Sequence, residues 1–75
     1  MSNVLKPDHY STNKLSCIEA MLEAFGKESV LTFCKLNAFK YIWRAEHKNK
    51  EEDMIKAQTY LKFYENILND KPVYD

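Results

Sequence analysis

Glycine, proline and cysteine are all scarce in this chain of 75 residues, which has one glycine, two prolines and two cysteines. Because turn-forming residues are so few and 45% of the residues are hydrophobic, the composition excludes a disordered chain and most β architectures. The single glycine also excludes a glycine-rich loop that cradles phosphate. The composition therefore predicts an all-α, compact helical protein.

The cysteines and the hydropathy of the chain indicate which cellular compartment and which bound metals to expect. Neither Cys17 nor Cys34 has a second cysteine or a histidine at zinc-finger spacing, so we expect no metal site. The N-terminal segment lacks the apolar stretch of a signal peptide, which favours a cytoplasmic protein with reduced thiols. No apolar run approaches the roughly 20 residues that a membrane-spanning helix needs, so no membrane partner is expected.

The net charge and the size of the chain indicate whether it binds nucleic acid and whether it associates with itself. The 11 basic and 11 acidic residues give a formal net charge of zero, which argues against a protein that binds nucleic acid through its phosphates. A single core of this size seldom supplies more than about 3–5 kcal/mol of stability. We therefore expect the protein to gain support by forming a homo-oligomer.

The positions of residues that interrupt helices, such as proline and glycine, predict one helical domain over residues 1–75. It consists of an irregular arm at residues 1–14 and helices at about residues 16–25, 28–45 and 50–69. Pro7 anchors the arm, because its ring fixes one φ angle. Towards the other end, Pro72 prevents the third helix from continuing.

Capping signals mark the helix starts. Ser16 and Glu19 have the spacing of a capping box, and Gly26 is a typical helix stop. Asn49 and Glu52 predict a second capping box at the third helix.

Hydrophobic periodicity predicts the face that each helix buries. The first helix has an apolar face and the third has a seam with steps of three and four residues. These rows are Ile18, Met21, Leu22 and Phe25 in the first helix, and Met54, Ala57, Leu61, Tyr64 and Leu68 in the third, where Tyr60, Phe63 and Ile67 widen the seam. The second helix is apolar nearly all round, which is typical of a central helix or of one that contacts a further chain.

A polar stripe interrupts the apolar second helix. Asn37, Lys40, Tyr41 and Arg44 occupy positions i, i+3, i+4 and i+7, so their side chains share one face. Lys40 and Arg44 can bind phosphate or carboxylate. Asn37 can read the edge of a base, and Tyr41 or Trp43 can stack on one. This pattern predicts a site for an anionic ligand.

A purely structural interpretation of the stripe stays open beside that one. Lys40 and Arg44 can instead pair with the acidic triplet of Glu51, Glu52 and Asp53, across the turn between the two helices. The triplet could hold Mg²⁺ with a nucleotide, although the dipole of the third helix explains it without a metal. His47 has the pattern of a solvated surface residue.

Four segments give the chain a family resemblance: "PDHY", "SCIEAM", "FCKLNAFKYIWRAEHKNKEED" and "KAQTYLKFY". Together they resemble the small phage proteins of the domain of unknown function 3310, also labelled SaV-like or phage nucleotide-kinase-like. The resemblance spans roughly residues 6 to 65. It implies a phage or prophage origin, a helical fold and a bacterial host cytoplasm.

The resemblance also implies a nucleotide ligand, since some larger members are described as nucleoside-monophosphate kinases without a P-loop. The family pattern falls on Pro7, His9, Tyr10, Cys17, Ile18, Glu19, Asn37, Lys40, Tyr41, Arg44, Lys48, Asp53, Lys56, Ala57, Tyr60 and Leu61. The chain departs from it at Leu36 and Glu46, where many members have glycine. It is also shorter than the described kinases, which leaves enzyme status uncertain.

Two functions therefore compete. The first is a nucleotide-binding protein that is kinase-like or sequesters its ligand. Its ligand-binding residues are Asn37, Lys40, Tyr41, Arg44, His9, Tyr10 and Asp53. The second is a phage module that docks on a host protein through its apolar helix and has no small-molecule activity.

Overall fold

The computed structural model describes residues 15–75, and in this part the chain forms three α-helices and no strand. Helix α1 spans Cys17–Phe25, α2 spans Lys27–Ala45 and α3 spans Lys50–Leu68. The all-α prediction is thereby confirmed. The predicted arm, with His9 and Tyr10, lies outside the described residues.

The start of α1 follows directly from its local sequence. The Glu19 backbone N–H donates to the Ser16 hydroxyl oxygen at 3.3 Å, and the Ser16 N–H donates to the Glu19 carboxylate at 2.9 Å. This reciprocal pair satisfies two backbone donors at the helix start. The predicted capping box is confirmed.

Gly26 separates α1 from α2 with a φ of 89°, a backbone conformation that side chains with a Cβ rarely adopt. Its N–H donates to the Leu22 carbonyl at 3.0 Å, closing the last turn of α1. The next residue already begins α2. One glycine therefore ends one helix and starts the other.

The second predicted capping box is wrong. Asn49 is the N-cap of α3, but its side chain makes no capping hydrogen bond. Its φ of −97° and ψ of 63° lie outside the extended region that a capping residue normally adopts. Helix α3 therefore starts without the reciprocal pair.

Helices α2 and α3 form an antiparallel hairpin joined by residues 46–49, and α1 packs across one end of it. The buried core there consists of Ile18, Val30, Leu31, Cys34, Phe63, Ile67 and Val73, with Met21, Leu22, Phe33, Tyr60, Tyr64 and Tyr74 packed against it. Phe25 is 72% exposed, so its predicted place on the buried face of α1 is wrong. The chain turns at Gly26 directly after it and leaves its ring outside the core.

The predicted apolar face of α3 is right for Ala57, Phe63 and Ile67, which are buried, and wrong for three residues of its central seam. The buried residues of α3 are Asp53, Ala57, Phe63, Asn66 and Ile67. Of the predicted seam, Ala57 is buried and Tyr64 is half-buried, whereas Met54, Leu61 and Leu68 are 43%, 48% and 49% exposed. The helix is rotated because α2, α1 and the C-terminal tail all pack on the side that carries Phe63 and Ile67.

The C-terminal tail completes the core. After α3 ends, Asp70 takes a left-handed conformation with φ of 59°, which aspartate tolerates better than most residues. The chain then folds back: the Asn66 amide donates to the Val73 carbonyl at 3.0 Å, and the Tyr74 ring meets the Phe63 ring edge-on at 5.5 Å. The sequence analysis did not predict this contribution.

The length and hydropathy of the three helices can be compared with those of membrane-spanning helices. Between residues 15 and 75, none of them combines the length and the apolar character that crossing a bilayer would require.

Candidate functional site

Tyr41 lies in the middle of the polar stripe and packs against α3. Its half-buried ring stacks on the Tyr60 ring with centroids 5.9 Å apart and planes 13° from parallel. Tyr60 in turn meets the Phe33 and Phe63 rings edge-on. The aromatic contacts therefore hold Tyr41 against the core, where its ring has little freedom to move.

Three cations surround the Tyr41 ring. The Lys40 ammonium lies 4.6 Å from its centroid, the Lys56 ammonium 5.5 Å and the Arg44 guanidinium carbon 5.7 Å. A cation over an aromatic face is attracted by the ring, which partly offsets the repulsion among the three. Two of these cations also have a carboxylate within 3.8 Å, Asp53 for Arg44 and Glu52 for Lys56, so the Tyr41 ring lies within a network of both charges.

Arg44 also forms an ion pair with Asp53, the one fully buried carboxylate of α3. The Arg44 Nε lies 3.8 Å from the Asp53 Oδ2, and the Asp53 side chain is 0% exposed. Within residues 15–75 neither oxygen of this carboxylate accepts a hydrogen bond. Because a buried charge is costly unless it is paired, Asp53 depends on Arg44. The structural interpretation of the stripe is therefore correct for this one pair.

The acidic triplet does not converge on one point. Asp53 is buried against Arg44, Glu52 lies 3.8 Å from the Lys56 ammonium, and Glu51 is exposed. Among the residues that the structure describes, no group of three or more histidines, cysteines, aspartates and glutamates could hold a metal ion. The arrangement gives no support to a magnesium site built from the triplet.

A pocket of about 310 Å³ opens beside this cluster, where α2 ends. It is lined by Trp43, Arg44, His47 and Lys48. The Trp43 side chain is 63% exposed, and its indole ring meets the Phe39 ring with centroids 6.4 Å apart and the His47 ring with centroids 5.6 Å apart. The pocket is shallow and open to solvent, because all four lining residues come from one short stretch of chain, residues 43–48. The pocket combines an aromatic surface with three basic side chains.

His47 is fixed in place by two contacts with Trp43. Its Nδ1 lies 3.0 Å from the Trp43 carbonyl oxygen, and the two rings have centroids 5.6 Å apart. Because a carbonyl only accepts hydrogen bonds, this contact requires the proton to be on Nδ1. The sequence pattern of His47 predicted a solvated surface residue and gave no sign of its place in the pocket wall. The signal that could have predicted the pocket wall was the grouping of Trp43, Arg44, His47 and Lys48 within six residues around the end of α2.

The remaining stripe residue lies apart from the pocket. The Asn37 amide donates to the Phe33 carbonyl at 2.9 Å, within its own helix. Asn37 precedes Arg44 by seven residues, which is about 10 Å along a helix axis. The structure thus brings Lys40, Tyr41, Arg44 and Asp53 together and leaves Asn37 about one turn from Tyr41 and two turns from Arg44.

Two groups near the site have perturbed acidities. Burial raises the pKa of the Cys34 thiol from 9.0 to about 11. Burial, and then the neighbouring Tyr41, also raise the pKa of Tyr60. A thiol with such a pKa stays protonated at neutral pH and is a poor nucleophile. Cys34 is therefore a core residue, not a reactive thiol.

The comparison with protein families identifies the chain. The model of a family described as protein of unknown function (DUF3310) matches residues 4–62, and the chain belongs to this family. No curated protein matches the chain, and no solved structure matches it either.

Proposed function

We propose that this member of the DUF3310 family binds a nucleoside phosphate at the loop end of the α2–α3 hairpin. The observation that carries the proposal is the pocket beside Trp43, whose other walls are Arg44, His47 and Lys48. An aromatic face next to several cations suits a ligand that has both a flat base and an anionic group.

The geometry suggests a role for each wall. The base packs against the part of the Trp43 indole that Phe39 and His47 leave exposed. Lys48 and Arg44 bind the phosphate, Lys48 as a point charge and Arg44 through the planar fork of its guanidinium. Asp53 acts on Arg44 and not on the ligand, because its buried carboxylate lies beside the Arg44 Nε. Lys40 and Lys56 add positive charge around Tyr41 and draw the anion to this end of the molecule.

We further infer that the protein sequesters its nucleotide in the cytoplasm of a bacterial host and originates from a phage or prophage. The origin rests on the resemblance of its motifs to small phage proteins. The charged groups of the site can position and neutralise a phosphate, which both sequestration and phosphoryl transfer need. We favour sequestration over kinase activity because of the acidic residues. The acidic triplet that would hold the usual magnesium ion does not converge.

A thermal-shift screen against nucleoside mono-, di- and triphosphates and cyclic dinucleotides tests the proposal, with and without Mg²⁺. A ligand at about 100 times its dissociation constant stabilises the folded state by about 2.7 kcal/mol. For a domain this small the midpoint should rise by several degrees. The absence of any shift at millimolar ligand would contradict the proposal.

Tryptophan fluorescence then locates the ligand, since the chain contains one tryptophan. We expect a bound base to quench the emission of Trp43. Lys48→Ala should weaken binding at least about tenfold, because it removes a phosphate contact worth at least 1.4 kcal/mol. The matched control is Lys35→Ala, an exposed lysine of α2 that does not line the pocket. An equal effect of both variants would indicate general charge attraction in place of a site.

The second candidate, a module that docks on a host protein, is favoured by one observation. Leu36, Phe39 and Trp43 form an outer strip on α2 and are 61%, 66% and 63% exposed. Exposed apolar side chains in a row are typical of a surface that fits a partner groove. Under this function Leu36→Asp should abolish capture of a host protein from bacterial lysate. Under nucleotide binding the same variant should leave the thermal shift unchanged.

A further inference from the structure

The side of the hairpin opposite the polar stripe carries a second row of exposed apolar residues. We call it the apolar hairpin face and define it by Ile42 of α2 and by Met54, Leu61 and Leu68 of α3. These side chains are 43%, 43%, 48% and 49% exposed. They are separate from the outer strip and from the pocket beside Trp43.

Helical geometry places these four residues on one side. Ala38 and Ala57, both buried, mark the lines along which α2 and α3 face each other. At about 100° per residue, Ile42 is rotated by about 40° from Ala38, and Leu61 by about 40° from Ala57. In an antiparallel pair, rotations of the same sign point to the same side of the hairpin.

The aromatic stack provides a check on this geometry. Tyr41 and Tyr60 each follow the corresponding alanine by three residues, so both are rotated by about 60° in the opposite sense. They should meet on the other side of the hairpin, and their rings do stack at 5.9 Å. The polar stripe and the apolar hairpin face therefore lie on opposite sides of the same two helices.

We propose that the apolar hairpin face binds a second copy of this chain in an antiparallel, two-fold symmetric dimer. The spacing of the α3 residues favours this partner. Met54 and Leu68 each lie seven residues from Leu61, so two copies of α3 running in opposite directions place Leu61 against Leu61 and Met54 against Leu68. Such self-complementarity is what a two-fold interface requires, and a seven-residue apolar spacing is typical of helices that pack side by side.

Size and charge agree with a second copy as the occupant. Helix α3 has 19 residues, and at 1.5 Å per residue and about 10 Å per helix the face measures roughly 28 by 20 Å. The footprint of about 560 Å² per copy, or about 1,100 Å² for both copies together, exceeds the roughly 1,000 Å² in total that a specific interface needs and is at the small end of the range. A formal net charge of zero means that two copies approach without long-range repulsion.

Sedimentation equilibrium on the full chain tests the proposal. We expect a dimer at micromolar concentration, and Leu61→Glu should raise its dissociation constant at least about 100-fold, since both copies place the charge at the centre of the interface. Leu36→Glu is the matched control, because Leu36 is exposed on the outer strip, and it should leave the dimer intact. A monomeric wild type at 100 micromolar or above, or a dimer broken by Leu36→Glu and not by Leu61→Glu, would overturn the proposal.

A second experiment covers the case in which Leu61→Glu fails to fold. Leu61→Cys in a Cys17→Ser background should form an intermolecular disulfide on mild oxidation, because residues facing each other across the axis come within disulfide reach. Cys34 is fully buried and does not compete. Leu36→Cys in the same background should stay monomeric on a non-reducing gel. Equal crosslinking of the two variants, or none at position 61, would exclude this antiparallel interface.

Discussion

The two ends of the α2–α3 hairpin are built from the same pair of helices and serve different purposes. At one end α1 and the C-terminal tail cover the hairpin, and Val30, Ile67 and Val73 are 1%, 5% and 5% exposed. At the other end Arg44 and Lys56 remain 43% and 46% exposed around a stacked tyrosine. Packing alone explains the first end. The second end is organised by charge: Arg44 lies 3.8 Å from Asp53, Lys56 lies 3.8 Å from Glu52, and both cations flank the Tyr41 ring.

The largest effect should follow from a substitution at the covered end. Ile67→Ala should lower the free energy of unfolding by about 2–5 kcal/mol, because it removes buried methyl groups and leaves a cavity. Urea denaturation followed by circular dichroism measures the change. Leu36→Ala, at a position that is 61% exposed, is the control and should change stability by less than about 0.5 kcal/mol. Similar losses in both variants would show that this end is not the core.

A smaller effect should follow at the loop end from Arg44→Ala. The change leaves the buried Asp53 carboxylate without its cation, which costs about 2–3 kcal/mol once the partial exposure of Arg44 is taken into account. Adding Asp53→Asn should recover much of the loss, because a neutral amide is easier to bury. A double-mutant cycle in urea measures the coupling. Coupling near zero would mean that the 3.8 Å ion pair contributes nothing to stability.

The smallest effect concerns alkaline pH at the covered end. Burial raises the pKa of the Cys34 thiol to about 11, so above pH 9 the unfolded chain releases this proton while the folded chain keeps it. Stability should therefore fall as the pH rises, by about 1.4 kcal/mol for this thiol between pH 7 and pH 10. Cys34→Ala should reduce the decline by that amount. An identical pH profile in the variant would contradict the assignment.

The Arg44–Asp53 ion pair determines which residue should be substituted in a test of ligand binding. A variant that removes Arg44 changes both the pocket wall and the support of a buried carboxylate, so a loss of binding could reflect a loss of structure. Lys48 lines the same pocket and is exposed, and no ion pair involving Lys48 occurs in residues 15–75. Substitution of Lys48 therefore separates ligand binding from stability better than substitution of Arg44 does.

Two local signals in the sequence predicted local structure correctly, whereas a third, the Asn49–Glu52 capping box, did not. The Ser16 capping box depends on residues three apart, and the polar stripe of α2 depends on helical spacing alone; both occur in the structure. The spacing of Lys40, Tyr41 and Arg44 was enough to predict that they share a face. Neither prediction needed knowledge of a distant partner.

Features set by tertiary contacts were not predictable in the same way. The row of α3 that faces inward depends on where α1 and the tail pack, so the periodic seam of Met54, Leu61 and Leu68 was mistaken for the buried one. The burial of Asp53 depends on the position of Arg44 across the turn. Val73 enters the core because the chain reverses after Asp70, and two apolar residues beyond a proline are too weak a signal for that.

The most direct test of the central claim is a nuclear magnetic resonance titration of the ¹⁵N-labelled chain with a nucleoside triphosphate, with tripolyphosphate as the control. The account predicts that the largest shift changes occur at residues 43–48 and at the Trp43 indole N–H. It also predicts that the core residues Ile18 and Val73 stay unchanged and that the control leaves the indole unaffected. Changes concentrated at the covered end of the hairpin, or none at millimolar ligand, would contradict it.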